Sequence, residues 1–313
     1  MNRITKLLLI FIIALFIVSC TKPAATSSNR FIGGDNGLEI SFIKDEPPEI
    51  VSDNNQDEFD IGIALKNVGE EDIESGKVIV TLNGIEKDAF SLSSLSAKNP
   101  DAMAGKHKLT QGNRVIPGEE GEITFQKLRY KEQLPAELDV ELRADVCYEY
   151  GTKAMVDMCL KKEPNKRRTN DICEITQESI PVDNSAAPVR VTNFAQRAGS
   201  SDKIKFTFDI EKTGSGDVFE SGTFSDKCTT NNDKLDRINV DVRFIGSGAS
   251  VSCNIEGSKN TGVTKLISGK RTVRCEVSGI SQDVAFRKPL QIKLDYVFKD
   301  SVSKTFTIES SLF

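Results

Sequence analysis

The sequence predicts an all-β chain, two tandem antiparallel β-sandwiches that follow an N-terminal signal peptide and a flexible stalk. Three observations carry this reading. Apolar residues recur with period two in many short runs, turn residues punctuate the runs, and one stretch of the pattern occurs twice. Period two is the spacing at which successive side chains leave a strand on opposite faces, so each run offers one apolar face to a core. Many short one-faced strands without long helical patterns between them bury those faces best sheet on sheet.

In chain order, the first strands are Leu38-Ile40-Phe42, Phe59-Ile61-Ile63-Leu65, Val78-Val80-Leu82, Ile123-Phe125 and Leu138-Val140-Leu142-Ala144-Val146-Tyr148. Val189-Val191, Ile204-Phe206-Phe208-Ile210, Ile238-Val240-Val242-Phe244 and Ile292-Leu294-Tyr296-Phe298 follow. Asn83-Gly84, Pro117-Gly118 and Gly214-Ser215-Gly216 supply turns between them. Ser91 to Met103 is the best short helical candidate.

The repeat divides the chain. Phe59 to Gly76 reads FDIGIALKNVGEEDIESG, and Ile204 to Gly222 reads IKFTFDIEKTGSGDVFESG. Lys66-Asn67-Val68-Gly69 lies over Glu211-Lys212-Thr213-Gly214, Asp72-Ile73 over Asp217-Val218, and Ser75-Gly76 over Ser221-Gly222 after a shift of one. The glycine closing each first strand is expected to supply a positive φ. The seam is expected near Asp183 to Pro188, where periodicity lapses and a proline ends the gap. Residues 37–185 then form the first sandwich and 186–313 the second, each long enough for one core.

At the other end, Arg3 and Lys6 precede the apolar run Leu7 to Val18, and Ile17-Val18-Ser19 leads into Cys20. A positive segment, an apolar core and small residues before a cleavage point mark a signal peptide, here residues 1–19. The arrangement resembles the lipobox of prokaryotic lipoproteins, with Ile17 where leucine is commonest. It implies cleavage before Cys20 and a lipid on its thiol. An uncleaved anchor is the alternative, but about a dozen apolar residues fall short of the roughly 20 that span a bilayer as a helix. Residues 20–36, rich in Thr, Pro, Ala, Ser, Asn and Gly, read as the stalk.

Removing the signal takes two of 41 basic residues, so the mature balance is 39 against 46 acidic residues, or -7. That mild acidity and the lack of a continuous basic face argue against nucleic acid. Lys161 to Arg168 is the one basic cluster, a solvated hairpin loop or an electrostatic handle for acidic polymers or anionic headgroups. With Cys20 assigned to lipid, Cys147, Cys159, Cys173, Cys228, Cys253 and Cys275 remain, an even set suited to disulfides in an exported protein. Three fall on each side of the seam, so full oxidation requires a bridge across it. Cys159 and Cys173 flank a polar hairpin, and Cys253 and Cys275 share the apolar phase of alternating runs, which leaves Cys147 for Cys228.

Motifs for catalysis are missing: no Gly-x-Ser-x-Gly elbow, Walker loop, Gly-x-Gly-x-x-Gly fingerprint or His-Glu-x-x-His occurs. His107, the sole histidine, stands between two lysines, a poor setting for a general base. With no Cys-x-x-Cys and one histidine, a zinc site has few ligands to draw on. Asp53, Asp57, Glu58 and Asp60, and then Glu70, Glu71, Asp72 and Glu74, form acidic clusters that read as solvated turns or as calcium ligands without the spaced calcium-loop pattern. No cofactor is expected.

A resemblance adds to this. The strand entering Lys66-Asn67-Val68-Gly69 and the Pro117-Gly118-Glu119 turn before Ile123-Thr124-Phe125 resemble CARDB-type immunoglobulin-like modules of prokaryotic surface proteins. Val146-Cys147-Tyr148-Glu149-Tyr150, Met158-Cys159-Leu160 and Ile172-Cys173-Glu174 are similar to uncharacterised two-domain surface proteins of small-genome archaea. The resemblance implies immunoglobulin-like sandwiches and no catalytic residues. The expectation is a non-catalytic, lipid-anchored protein of the outer membrane face that contacts a protein or envelope polymer. The alternative is a solute-binding or enzyme-accessory lipoprotein presenting a ligand in the interdomain cleft.

Overall fold

The computed structural model describes residues 30–109, 114–176, 178–200, 202–223, 228, 231–246 and 248–312. The signal peptide, Cys20 and the stalk as far as residue 29 lie outside them. The fold is all-β and sandwich-like, and its sheets are antiparallel apart from a short parallel pairing of residues 50–52 with 307–309. Leu38–Phe42, Phe59–Asn67 and Glu120–Leu128 form a three-stranded sheet in that order. Val189–Ala198, Ile204–Lys212, Lys270–Ser278 and Ser250–Cys253 form a four-stranded sheet, with its first three strands in the corresponding order. The repeated segment thus supplies the second strand of both.

A ten-stranded sheet joins everything else of size, and two strands dominate it. Leu138–Leu160 and Phe286–Glu309 pair without a break from Phe286 opposite Leu160 to Ile308 opposite Leu138. One phase is apolar along nearly their whole length, interrupted on the second strand by Asp300 and Lys304. Val140, Leu142, Ala144, Val146, Tyr148, Tyr150, Thr152, Ala154, Val156, Met158 and Leu160 are all buried on one phase, as are Leu290 to Phe298, Phe306 and Ile308 on theirs. Full burial of one such aliphatic or aromatic side chain is worth about 1.5–3 kcal/mol, so the phase of the whole ribbon is strongly fixed.

Both smaller sheets cover this apolar face. The rings of Phe59 and Phe306 lie 6.0 Å apart, which places the three-stranded sheet over the end of the second long strand. The Gln196 Oε1 accepts from the Cys159 amide at 3.1 Å, which places the four-stranded sheet over the end of the first. Because the ribbon is antiparallel, each long strand serves both units. Residues 138–150 and 298–309 lie under the first unit, residues 151–160 and 286–297 under the second.

The expected pair of sandwiches in tandem is therefore not a pair of beads on a linker. The boundary between residues 185 and 186 divides the repeats in sequence, while the division in space crosses both long strands at Tyr148–Gly151 and Asp295–Phe298. Two strands long enough to cross both cores made the merger possible. Tyr148, Tyr150, Tyr296 and Phe298 fill the waist between the units, with Tyr148 5.6 Å from the Tyr150 ring and 5.7 Å from Phe298.

Three further expectations are corrected. Residues 30–36 of the predicted stalk are bonded to the body: Arg30 pairs with Asp157 at 2.8 Å, and the amides of Ile32 and Gly33 donate to Glu70 at 2.9 Å. Ser91 to Met103 is not helical; Ser96–Lys98 is a strand and Met103 bridges to Ile73, because Asn99 ties this segment by its side chain to Val78 and Glu74. Gly69 and Gly214 do not have positive φ. Gly76 and Gly222 do, at 74° and 78°, whereas a Cβ on Gly69 would lie 1.7 Å from the Tyr150 hydroxyl. Gly69 is thus required by close approach, and Gly76 and Gly222 by backbone conformation.

Candidate functional site

The cysteines fall into three pairs at disulfide distance. Cys147 and Cys228 have Cα atoms 5.5 Å apart, Cys159 and Cys173 5.9 Å, and Cys253 and Cys275 4.0 Å. These are the partners assigned from the sequence. Cys253 and Cys275 face each other directly across adjacent strands, and Cys275 is buried in the core. Cys147 leaves the ribbon on its outer face, where Cys228, Ile79, Phe219 and Val297 gather into a small second cluster. That bridge ties a strand of the first repeat to a loop of the second. Cys20 lies outside the described residues.

The acidic clusters come apart into single carboxylates that accept backbone amides. Asp53 is fully buried and accepts from Leu134 N at 2.6 Å and Ser311 N at 2.9 Å, which hold its carboxyl below the ordinary range. Asp57 accepts from Ser52 and Asp60 from Lys127, while Glu58 pairs with Arg129. Glu70 collects the amides of Ile32, Gly33 and Ala186, Asp72 takes that of Gly105, and Glu71 pairs with Lys153. Carboxylates spent on backbone donors satisfy loop amides that would otherwise be buried unpaired. Neither the solvated-turn reading nor the calcium reading describes Asp53 or Glu70. Among the described residues, no three His, Cys, Asp or Glu side chains are grouped to hold a metal ion.

The waist is sewn by hydroxyls. Tyr150 donates to Asn67 Oδ1 at 3.2 Å and accepts from Glu71 N at 3.3 Å. The Tyr148 hydroxyl accepts from Leu38 N at 3.3 Å, and Tyr296 shares a hydrogen bond of 3.0 Å with Thr152, which donates to Val189 O at 2.7 Å. Burial pushes all three phenols far above their usual range, so they stay neutral at any physiological pH.

A groove of about 850 Å³ lies against the three-stranded sheet, walled by residues 99–103. Its floor carries Glu39, Lys66 and Glu120 in one row across three strands, with Glu122 beside them and Asp101 on the wall. Lys66 pairs with Glu120 at 2.7 Å, which raises its ammonium above the usual range. Four carboxylates against one lysine suit a cationic ligand, and none of these side chains forms a nucleophile and base pair. The alternation showed that these positions face outward, but only the register places them in one row. The Lys161–Arg168 loop lines a second, smaller hollow in the other unit, and Lys161 turns inward to pair with Asp171. His107 sits exposed on a two-stranded hairpin, its ring near the Gly105 carbonyl. No helix of the described residues is long and apolar enough to cross a membrane.

No family model matches this chain, and no curated protein does. Among solved structures it is similar to the secreted serine protease VesC from Vibrio cholerae, at 10% identity over 83% of this chain and 50% of that one, with a TM-score of 0.18. The chain spans about half the length of that protein. So low a score carries no argument about fold or activity.

Proposed function

We propose that this chain is a non-catalytic cell-surface lipoprotein, an adhesion or envelope-structural module of two immunoglobulin-like, CARDB-type sandwiches tethered through Cys20 to the outer face of the membrane. The observation that carries the reading is the ribbon of Leu138–Leu160 and Phe286–Glu309, which makes both units one rigid display surface. Three cysteine pairs brace that surface in keeping with an oxidising address outside the cytoplasm. The signal segment and Cys20 supply the anchor, and residues 30–36 pass the tether into the waist rather than to a free end.

The rival reading places a ligand between the two halves. Tyr148, Tyr150, Tyr296 and Phe298 occupy that space, so the acidic groove on the three-stranded sheet is the better concave surface for either reading. Two measurements test the proposal. Metabolic labelling with a tagged fatty acid, followed by membrane fractionation, is expected to find the label on the wild-type chain and to lose both label and membrane retention in Cys20→Ser. An unlabelled wild-type chain that fractionates like Cys20→Ser sinks the anchor. Crosslinking on the native surface is expected to capture a partner that Glu120→Lys with Glu122→Lys no longer retains; capture unchanged by those substitutions removes the groove from the reading.

A further inference from the structure

The end of the second unit farthest from the waist brings together cations and exposed aliphatic side chains. It is formed where the first long strand ends and the second begins, with the loop 161–171 on top. The loop is held firmly: Cys159 pairs with Cys173, Lys162 N donates to Gln282 O at 2.8 Å, and Asp171 accepts from Ala285 N at 2.9 Å. Lys161 is buried against Asp171 and Arg168 lies against Glu163 at 2.9 Å, so the cations presented outward are Lys162, Lys166, 3.3 Å from Glu163, and Arg167, 4.0 Å from Glu174 but with 91% of its side chain exposed. In or beside the loop Ile172 is 69% exposed and Val284 40%, and at the same end Ile245, whose amide donates to Pro289 O, is 52% exposed. Single exposed aliphatic residues are ordinary, but three crowning one end among cations form a surface with both a charged and an apolar demand.

We infer that this end docks on an anionic phospholipid membrane, the cations meeting headgroups and Ile172, Ile245 and Val284 entering the interfacial layer. The inference rests on the reading that Cys20 carries lipid, and it adds which way the tethered molecule faces. Charge complementarity sets the direction. Residues 151–297 hold 23 basic against 19 acidic side chains, a balance of +4, while residues 37–150 with 298–312 hold 14 against 26, a balance of -12. A negative surface draws the second unit in and pushes the first away. The tether agrees, since Arg30 is fixed to Asp157 and Asp183 of the second unit. Cys20 stands ten residues earlier, at most about 35 Å of extended chain. An acidic polymer would use the cations but leave the aliphatic side chains without a role.

The chain contains no tryptophan, so one introduced is a sole reporter. Full-length lipidated Ile172→Trp protein is placed in vesicles of brominated phosphatidylcholine, with or without phosphatidylglycerol. Ile50→Trp, at the far end of the first unit, is the reference. Ile172→Trp fluorescence is expected to be quenched and blue-shifted only with phosphatidylglycerol, and Ile50→Trp in neither vesicle. Adding Lys166→Gln and Arg167→Gln is expected to weaken the docked state about 25-fold, at about five-fold per cation, and to remove most of the quenching. Protein that stays with phosphatidylglycerol vesicles while Ile172→Trp remains unquenched overturns the inference and leaves the tether standing. Protein that stays with neither vesicle overturns both. Equal quenching in the two lipids, or an emission shift with soluble dextran sulfate and none with phosphatidylglycerol, overturns it as well.

Discussion

The two units share a strand plan and differ in what holds their loops. In the first, carboxylates do so: Asp53 joins the 134 loop to Ser311, Glu70 gathers three amides at the waist, and Asp60 and Asp72 each take one more. In the second, cysteine pairs close the 161–171 loop, with Asp171 beside them, and lock neighbouring strands. The waist differs in the same way. Tyr150 reaches the first unit's turn through its hydroxyl, whereas at the second unit's turn Phe298 packs against Gly214 and Gly216. One plan can thus be stabilised by charge and hydrogen bonding or by covalent bridges and packing, and each half should fail under its own stress.

The largest expected effect breaks the comparison at its centre. Tyr296→Ala empties a fully buried ring site in the waist and should cost about 3–5 kcal/mol. Since the long strands cross both cores, calorimetry is expected to show one transition moved to lower temperature; two separate transitions would mean that the units are not coupled. Next, replacing Cys159 and Cys173 by serine should cost about 2–4 kcal/mol. Amide exchange is expected to rise first in the second unit's end loops and to leave the three-stranded sheet protected.

The glycines sharpen the contrast between the two turns. Gly69→Ala should cost about 1–3 kcal/mol or more, because its new methyl meets the Tyr150 hydroxyl and the Ala186 carbonyl. Gly214→Ala meets only the Phe298 ring edge, at 3.2 Å, and chemical denaturation should find it the milder of the pair. Acid gives the smallest effect. Asp53 and Asp171 have folded values below the ordinary 3.8, Asp53 through the Leu134 amide and Asp171 through Lys161, which takes it to about 2. For depressed carboxyls the stabilisation is complete above the unfolded value and fades as pH falls through the folded one. Melting temperature should therefore drop between about pH 4 and pH 2, and Asp53→Asn should flatten that slope.

The all-β class and the strands were legible from the sequence because Ile204-Phe206-Phe208-Ile210 and its counterparts alternate without ambiguity. Cysteine pairing was legible because Cys253 and Cys275 share the phase of their strands and Cys159 and Cys173 flank one polar segment, which folds as a loop and not as the expected hairpin. The shared ribbon was not. Gly151 and Thr152 follow Tyr150, and Asp300 and Ser301 follow Phe298, so both runs look finished at the waist, though strand pairing carries them on. Asp53 and Glu70 read as solvated for a related reason. Asp53 takes amides 81 or more residues away and Glu70 takes amides 37, 38 and 116 away, and no local pattern marks a distant amide.

The long strands also set an order of events during folding. Residues 298–309, which follow every other strand of the first unit in sequence, are the part of the ribbon on which that unit closes. An N-terminal module usually finishes folding while the rest is still being made. Here the first unit waits with its apolar face open until residues 298–309 have been made, and a chain cut short after residue 297 would fail first at its beginning.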